Sequence, residues 1–102
     1  MIEGMYLVIA FHHARAQHVD DLLAYMLKVR TAVIGAPGLI TFDAWRRGTD
    51  TLLAGVSVWE SSDAFHNALP LLGSLQGERR SEWSERPDDV YLFDRAEPRT
   101  GK

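Results

Sequence analysis

Residues 37–65 read PGLITFDAWRRGTDTLLAGVSVWESSDAF, and this stretch decides the fold. Its β-branched and aromatic residues predict two strands, one over 39–45 and the other over 51–59. A short polar loop over 46–50 separates them. Gly48 lies in that loop, where a hairpin turn needs a residue that readily adopts a positive φ. The stretch therefore predicts a β-hairpin at the centre of the chain.

One strand and one helix are predicted before the hairpin. Residues 5–11, MYLVIAF, form an apolar run of the kind found in strands. From about Ala16 the apolar residues recur at helical spacing, as far as Val33. Gly35 and Pro37 then follow, a pair that is typical of a helix C-terminus and its exit. The order up to the hairpin is therefore strand, helix, strand, strand.

A helical region and one last strand are predicted after the hairpin. Ser61 or Ser62 is placed to cap a short helix, which Pro70 ends or kinks. Leucines and a tryptophan at helical spacing over 71–83 predict a second helical piece on a new axis. The apolar residues 90–93 predict the fourth strand.

The order β-α-β-β-α-β predicts a ferredoxin-like α+β fold. Two right-handed β-α-β units joined by a hairpin form a four-stranded antiparallel sheet with its helices on one face. The length of 102 residues is that of one domain. We expect this domain over residues 1–96 and a flexible tail over residues 97–102.

Strands one and three are apolar on both of their faces. An antiparallel sheet with only one covered face normally alternates apolar and polar residues. The helices suffice for one face, and the other would be a large apolar surface of a kind that soluble monomers avoid. We therefore expect a homodimer in which two sheets pack face to face around a barrel-like interior.

Composition excludes several classes of function. The net charge of −3 provides no basic surface for a phosphate backbone, which argues against nucleic-acid binding. The absence of cysteine excludes disulfides and thiolate chemistry. The N-terminal segment lacks the features of a signal peptide, and its apolar run is far shorter than the roughly 20 residues of a membrane-spanning helix. We expect no membrane association and a cytoplasmic location.

The motif WESSDAF at residues 59–65, together with the Pro37-Gly38 turn, resembles the antibiotic biosynthesis monooxygenase family of dimeric α+β barrels. In that family a strand ends in Trp-Glu, and a capped helix carrying Ala-Phe follows it. The resemblance spans residues 5–93. It implies a cofactor-independent monooxygenase or quinol oxidase that acts on aromatic compounds, since the family includes such enzymes beside haem-degrading ones.

The haem-degrading branch fits this sequence poorly. That branch carries an Asn in its first strand, a Trp three residues after the Ala-Phe pair and an iron-binding His further along. Here residues 5–11 contain no Asn, Ala68 takes the place of the Trp, and residues 75–77 hold no His. Only His66 remains as a possible haem ligand, so we expect no haem and no other cofactor.

The candidate catalytic residues are those that can exchange a proton or steady an anion in an apolar pocket. They are His12, His13, His66 and Tyr91. His12 and His13 end the first strand and point to opposite faces, so one of them at most faces a cavity. A solvated strand end is the alternative interpretation for both. The four histidines show no metal-binding spacing, and no metal site is predicted.

The candidate substrate-binding residues are aromatic or cationic side chains near the predicted strands. They are Tyr6, Trp59, Trp83 and Arg79. Each also has a simpler interpretation, since the tryptophans are typical of core packing and Arg79 of a solvated helix face. Tyr6 and Tyr91 are expected on the outer strands of the sheet, where either hydroxyl can reach a substrate.

The sequence thus predicts a monooxygenase that acts on an aromatic, quinol or polyketide-like small molecule without metal or flavin. Two alternatives stay open at this point. One is a non-catalytic dimeric barrel that binds a small apolar ligand. The other is a cyclase or isomerase that uses the same pocket for acid–base work on a polyketide-like substrate.

Overall fold

A computed structural model of the chain describes residues 5–96. The strands are β1 (Tyr6–His13), β2 (Leu39–Arg46), β3 (Leu52–Trp59) and β4 (Asp89–Asp94), and the α-helices are α1 (Val19–Val33) and α2 (Ser62–Ala68). All neighbouring strands are antiparallel, in the order β2-β3-β1-β4. This is the predicted ferredoxin-like sheet, and the prediction of the fold class is confirmed. The expected tail over residues 97–102 lies outside the described residues.

The turns form where the sequence predicts them. Gly35 follows α1 with a φ of 88°, and Gly48 in the hairpin loop has a φ of 56°. At the start of α2, the Ser61 hydroxyl accepts a hydrogen bond from the Ala64 backbone N–H at 3.1 Å, so Ser61 is the N-cap. The glycine turns and the serine N-cap thus define where α1 ends, where the hairpin turns and where α2 begins.

Gly38 lies where the turn after α1 packs against the start of α2. Its φ is 87°, and a Cβ atom at this position would overlap the Ala64 side chain. Its carbonyl accepts a hydrogen bond from the Glu60 N–H at 2.8 Å. The turn after α1 and the start of α2 therefore pack directly against each other, and only glycine fits between them.

The region after α2 differs from the prediction. Instead of a second α-helical piece over 71–83, the chain forms 3-10 helices at Leu69–Glu78 and Ser81–Trp83. Pro70 lacks an N–H for α-helical hydrogen bonding, and two glycines in the first of these helices lower its helix propensity further. Arg79 and Arg80, between the two helices, have extended backbone conformations. Arg79 is therefore not part of a helix face.

The core lies between the helices and one face of the sheet. From β1 it includes Tyr6 and Val8, and from β3 Leu53 and Trp59, while α1 contributes Leu22, Met26 and Val33. β1 is an inner strand of the sheet. The expectation that Tyr6 lies on an outer strand is therefore wrong, since in this topology β1 pairs with both β3 and β4.

The opposite face of the sheet has no helix over it. By strand register, this face carries Leu7, Ile9 and Phe11 from β1, Val56 and Val58 from β3, Trp45 from β2 and Tyr91 and Phe93 from β4. Among these, Trp45, Tyr91 and Phe93 are about half exposed or more. The predicted pattern of a sheet apolar on both faces is therefore present, and we refer to this surface as the open face.

Candidate active site

A cavity of about 250 Å³ lies between the sheet and the helices. The sheet forms its floor, and α1, α2 and the 3-10 segment after α2 form its other walls. The lining side chains are mostly apolar, with a few polar groups among them. They come from Val8, Ala10, His12, Tyr25, Met26, Val29, Val33, Phe42, Gly55, Ser57, Trp59, Phe65, Ala68, Leu69, Leu72 and Arg79.

His12 stands at one end of this cavity. It lies near the end of β1, where strand alternation turns its side chain to the helix-covered face, and it is buried. Its Nδ1 atom is 3.0 Å from Oδ2 of Asp88. The angle of this contact departs from that of a good hydrogen bond, and Nδ1 has no other partner among the described residues. The contact is therefore mainly electrostatic, between the ring nitrogen and the carboxylate.

Arg79 also binds Asp88, and it shares the Oδ2 atom with His12. Its Nη1 and Nη2 atoms donate to the two carboxylate oxygens at 2.6 and 2.7 Å, and Nη2 also reaches the Ser84 hydroxyl at 3.0 Å. Such a two-point contact fixes the plane of the carboxylate as well as its position. His12, Asp88 and Arg79 form a chain of three side chains, which we call the inner cluster.

The charges within the inner cluster reinforce one another. Burial alone would raise the pKa of the Asp88 carboxyl, but the hydrogen bonds from Arg79 and the contact with His12 hold it far below its ordinary value. Hydrogen bonding to Asp88 in turn raises the pKa of the Arg79 guanidinium. Asp88 is therefore a fixed anion at every physiological pH.

The second nitrogen of His12 faces the cavity. Its Nε2 atom lies 3.7 Å from the point where a Cβ atom would stand on Gly55, and the Met26 methyl group lies 3.6 Å from the same point. Gly55 and its strand neighbour Ala10 form a floor of small residues beside the ring. The missing side chain at Gly55 thus leaves open the space in front of Nε2.

Ser57 is the other buried polar side chain among the described residues, besides His12. Its hydroxyl oxygen accepts a hydrogen bond from Nε1 of Trp59 at 2.9 Å. Both side chains line the cavity, two and four residues beyond Gly55 on the same face of β3. Ser57 therefore adds a second buried polar group to the cavity lining, on the strand that also carries Gly55.

Three of the sequence-predicted site residues line the cavity: His12, Trp59 and Arg79. Of the two neighbouring histidines, His12 is thus the one that faces it. The Arg79 side chain, expected on a solvated helix face or in contact with a substrate, binds the carboxylate of Asp88. Trp59 is almost completely buried and combines packing in the core with contact to the cavity.

The structure does not bring the other predicted residues into the cavity. His13 faces the opposite side of the sheet and contacts Asp89 at 2.7 Å. His66 is exposed, and its Nδ1 lies 2.7 Å from the Ser62 carbonyl oxygen. The remaining three are Tyr6, Trp83 and Tyr91, whose rings contact Phe65, Tyr25 and Phe11 respectively.

The sequence interpretation missed Asp88, Ser57 and Tyr25. A signal for Asp88 was present, because an antiparallel β4 beside β1 brings the residue just before β4 opposite the end of β1. The observed pairing of Phe11 with Asp89 has this consequence. Ser57 and Tyr25 gave no comparable signal, since a serine in a strand and a tyrosine in a helix are each unremarkable alone.

Two structural features are absent from the described residues. Within residues 5–96, no group of three or more His, Asp, Glu or Cys side chains is arranged to hold a metal ion. No helix in the same range is long and apolar enough to cross a membrane.

The sequence of residues 5–70 matches the antibiotic biosynthesis monooxygenase family, over more than half of the 102-residue chain. The chain belongs to this family. The predicted family membership is confirmed. The matched range ends just beyond α2, so it includes His12 and Ser57 but neither Arg79 nor Asp88. Two of the three members of the inner cluster therefore lie outside the part that matches the antibiotic biosynthesis monooxygenase family.

Solved structures resemble the whole domain. Rv0793 from Mycobacterium tuberculosis has a TM-score of 0.77 at 18% identity, with 94% of this chain and 99% of that chain covered. PA3566 from Pseudomonas aeruginosa has a TM-score of 0.78 at 15% identity, with 95% and 99% covered. A structure named antibiotic biosynthesis monooxygenase has a TM-score of 0.69 at 14% identity, with 90% and 99% covered. No curated protein matches the sequence significantly. These likenesses establish the fold.

Proposed function

We propose that the protein is a cofactor-independent monooxygenase that acts on an aromatic, quinol-like or polyketide-like molecule in the cavity. The observation that carries this proposal is the position of His12, with one ring nitrogen against a fixed carboxylate and the other facing an apolar cavity. Membership of the antibiotic biosynthesis monooxygenase family supports the reaction class.

The inner cluster determines which nitrogen of His12 can act as a base. The negative charge of Asp88 attracts an N–H group and repels a nitrogen lone pair, so a neutral His12 carries its proton on Nδ1, next to Asp88. Nε2 then has a free lone pair directed toward the cavity. When Nε2 takes up a proton, Asp88 stabilises the resulting imidazolium, and Arg79 keeps Asp88 in place for this role.

The reaction needs a substrate that becomes electron-rich when it loses a proton. His12 takes the proton from a phenol or enol, and the ring carbon of the anion then forms a bond to dioxygen. The peroxide anion regains a proton from His12 to give a hydroperoxide. Loss of water breaks the O–O bond and leaves a carbonyl, so that a CH₂ group and O₂ become a C=O group and H₂O. Dioxygen is the oxidant, and the atoms balance without a cofactor.

The cavity suits this chemistry in polarity and in size. Its apolar lining excludes water, which would otherwise compete for the proton and solvate the anion. Its volume of about 250 Å³ lies just below the usual range of small-molecule sites, roughly 300–1,000 Å³. We therefore expect a substrate with one or two rings.

The test is dioxygen consumption with a panel of quinols and polyphenols. We expect uptake by the wild type and a loss of about 100-fold in His12→Ala, since general-base catalysis typically contributes 10²–10⁴-fold. No uptake with any member of the panel, together with tight binding, indicates the non-catalytic ligand-binding protein instead. Turnover without dioxygen uptake indicates the cyclase or isomerase.

We also propose that two chains pair through their open faces. The carrying observation is the row of apolar side chains there, in particular the exposed Trp45, Tyr91 and Phe93. Ile9 and Val56 face each other at the centre of this surface. Sedimentation at micromolar concentration should give the mass of a dimer, and Val56→Glu should give a monomer. A monomeric wild type contradicts the proposal.

A further inference from the structure

We infer that Ser57 is a substrate-binding residue, which donates its hydroxyl hydrogen to an acceptor oxygen of the ligand on the cavity floor beside Gly55. The inference deepens the proposed function, on which it depends for the role of His12. It adds a requirement on the substrate that the family membership does not contain. The substrate then carries an acidic hydroxyl group at one end of a ring and an acceptor oxygen at the other.

The hydrogen-bonding state of Ser57 is the first argument. Its side chain is almost completely buried, with the residue only 4% exposed. The hydroxyl oxygen accepts from Trp59 Nε1, but no described residue accepts the hydroxyl hydrogen. Buried hydroxyl groups in proteins nearly always use their donor as well as their acceptor capacity. The free donor of Ser57 lines the cavity, so a ligand oxygen is its natural partner.

The spacing along β3 is the second argument. His12 Nε2 lies above Gly55, and Ser57 is the next residue on the same face of that strand. Two residues of a strand span roughly 7 Å. The two side chains are therefore close enough for the oxygen substituents of one six-membered ring to contact both. The ring would then lie over the small residues Ala10 and Gly55, below Met26 of α1.

The polarity of the two ends is the third argument. At the His12 end, the bare Nε2 accepts a hydrogen bond, so it selects a hydroxyl group of the ligand. At the other end Ser57 offers only a donor, because its oxygen is already engaged by Trp59. This end selects a carbonyl or phenolate oxygen. Where that oxygen belongs to a carbonyl conjugated with the ring, deprotonation at the His12 end moves negative charge onto it, and the Ser57 hydroxyl stabilises this charge.

The matched probes for a binding test are para-hydroxyacetophenone, para-ethylphenol and acetophenone. They share one ring and a two-carbon substituent, and they differ in whether they have the hydroxyl, the carbonyl or both. By calorimetric titration, the wild type should bind para-hydroxyacetophenone about threefold to tenfold more tightly than para-ethylphenol, the contribution of one net hydrogen bond. In Ser57→Ala this preference should disappear, while the affinity for para-ethylphenol changes little.

Trp59→Phe is the control for a purely structural role of Ser57. This variant removes the indole N–H that binds the Ser57 oxygen but keeps the hydroxyl group. Its affinities for all three probes should fall together because the cavity lining changes, and the preference for the carbonyl compound should remain. Equal loss of the preference in both variants would show that Ser57 only supports Trp59, which overturns the inference.

Two other results also overturn the inference. One is an unchanged preference in Ser57→Ala, and the other is failure of all three probes to bind the wild type. The proposed function is tested separately by dioxygen uptake. A preference that depends on Ser57 without any turnover would leave the binding role of Ser57 intact and contradict the monooxygenase, whereas turnover with no such preference would contradict Ser57 alone.

Discussion

Two clusters of the same three residue types lie at the end of β1, on opposite faces of the sheet. The inner cluster consists of His12, Asp88 and Arg79, and the outer cluster of His13, Asp89 and Arg86. The histidines are neighbours in sequence, and so are the aspartates. Their chemistry differs because strand alternation sends one histidine to the cavity and the other to the open face.

The outer cluster is more exposed and presents the opposite ring nitrogen. In it the Nε2 atom of His13 lies 2.7 Å from Asp89 Oδ2, and Arg86 Nη2 lies 3.2 Å from the same nitrogen. Nε2 can donate to the carboxylate but not to the guanidinium, so the contact with Asp89 governs the position of the proton. Its free nitrogen is therefore Nδ1, beside the backbone, and no apolar cavity surrounds it.

The comparison teaches that residue type alone does not make a catalytic site. Both clusters contain a histidine, a carboxylate and an arginine at hydrogen-bonding distances. Only the inner cluster places a bare ring nitrogen in an apolar, buried space, where a proton transfer can be separated from water. Burial and the identity of the free nitrogen distinguish a candidate base from a surface ion pair.

The largest expected effect comes from removing one carboxylate at a time. Asp88→Asn should lower turnover by about 100-fold or more, because the amide can donate to Nδ1 and force the wrong tautomer on His12. The loss of hydrogen bonds to Arg79 should cost a further about 1–3 kcal/mol of folding stability. Asp89→Asn is the matched control and should leave turnover within about twofold, since exposed ion pairs contribute little. Steady-state dioxygen uptake and urea unfolding measure the two effects.

Equal losses in the two asparagine variants would remove the distinction between the clusters. Such a result would mean that the outer cluster takes part in the reaction as well, or that both variants act through the stability of β4. The unfolding curves separate these two causes.

Gly55→Ala should close the inner site without harming the fold. The added methyl group would stand 3.6 Å from the Met26 methyl and 3.7 Å from His12 Nε2, which are ordinary contacts. Alanine should stabilise the strand by roughly 0.5–1 kcal/mol relative to glycine. It also fills the space in front of Nε2, so we expect turnover and ligand affinity to fall at least about tenfold.

Stability and turnover must therefore move in opposite directions in Gly55→Ala. Thermal unfolding and dioxygen uptake on the same preparation provide both values. Full activity in this variant would show that the substrate does not approach His12 across Gly55. The outer cluster should be unaffected in either case, since it lies on the other face of the sheet.

A smaller effect is expected in the dependence of stability on pH. The folded pKa of Asp88 lies below its ordinary value, because the hydrogen bonds of Arg79 and the contact with His12 outweigh the effect of burial. As the pH falls, Asp88 is therefore protonated in the unfolded chain before it is protonated in the folded one. Its contribution to folding stability is complete above about pH 4 and is lost as the pH falls further. The pKa of Asp89 is also lowered, by hydrogen bonds from His13 and Arg86.

High salt distinguishes the contribution of Asp88 to this pH dependence from that of Asp89. The Asp89 side chain is 42% exposed against 20% for Asp88, so about 1 M salt should screen the interactions of Asp89 more strongly than those of Asp88. In high salt, the free energy of unfolding is measured between about pH 5 and pH 2. It should change less steeply with pH in Asp88→Asn than in the wild type, and the slope should correspond to the uptake of up to one proton fewer on unfolding. Asp89→Asn should follow the wild type. The reverse order would contradict the difference in burial.

Much of the fold could be predicted because local patterns are strong here. The period of two in the strands, the change of period at α1, the serine before α2 and the glycines after α1 and in the hairpin all act over a few residues. The 3-10 segments after Pro70 could not be predicted, since proline and scattered glycines leave several backbone conformations close in energy. This is why Arg79, interpreted as part of a helix face, is found extended and directed into the cluster.

The candidate site could be predicted only in part, for a different reason. The sequence singles out His12 and His13, but nothing local decides which of them faces the helices. Asp88 joins His12 across 76 positions of the chain. That contact depends on the register between β1 and β4, which the sequence alone does not define. Ser57 becomes notable only when its burial and its partner Trp59 are known.

The most direct test of the central claim is the tautomer of His12, read from ¹⁵N NMR of the imidazole rings at a pH where they are neutral. His12 should carry its proton on Nδ1 and present a bare Nε2 to the cavity, while His13 should carry its proton on Nε2. Asp88→Asn should change the His12 signals and leave those of His13 in place. A proton on Nε2 of His12 in the wild type would contradict its assignment as the base in the cavity.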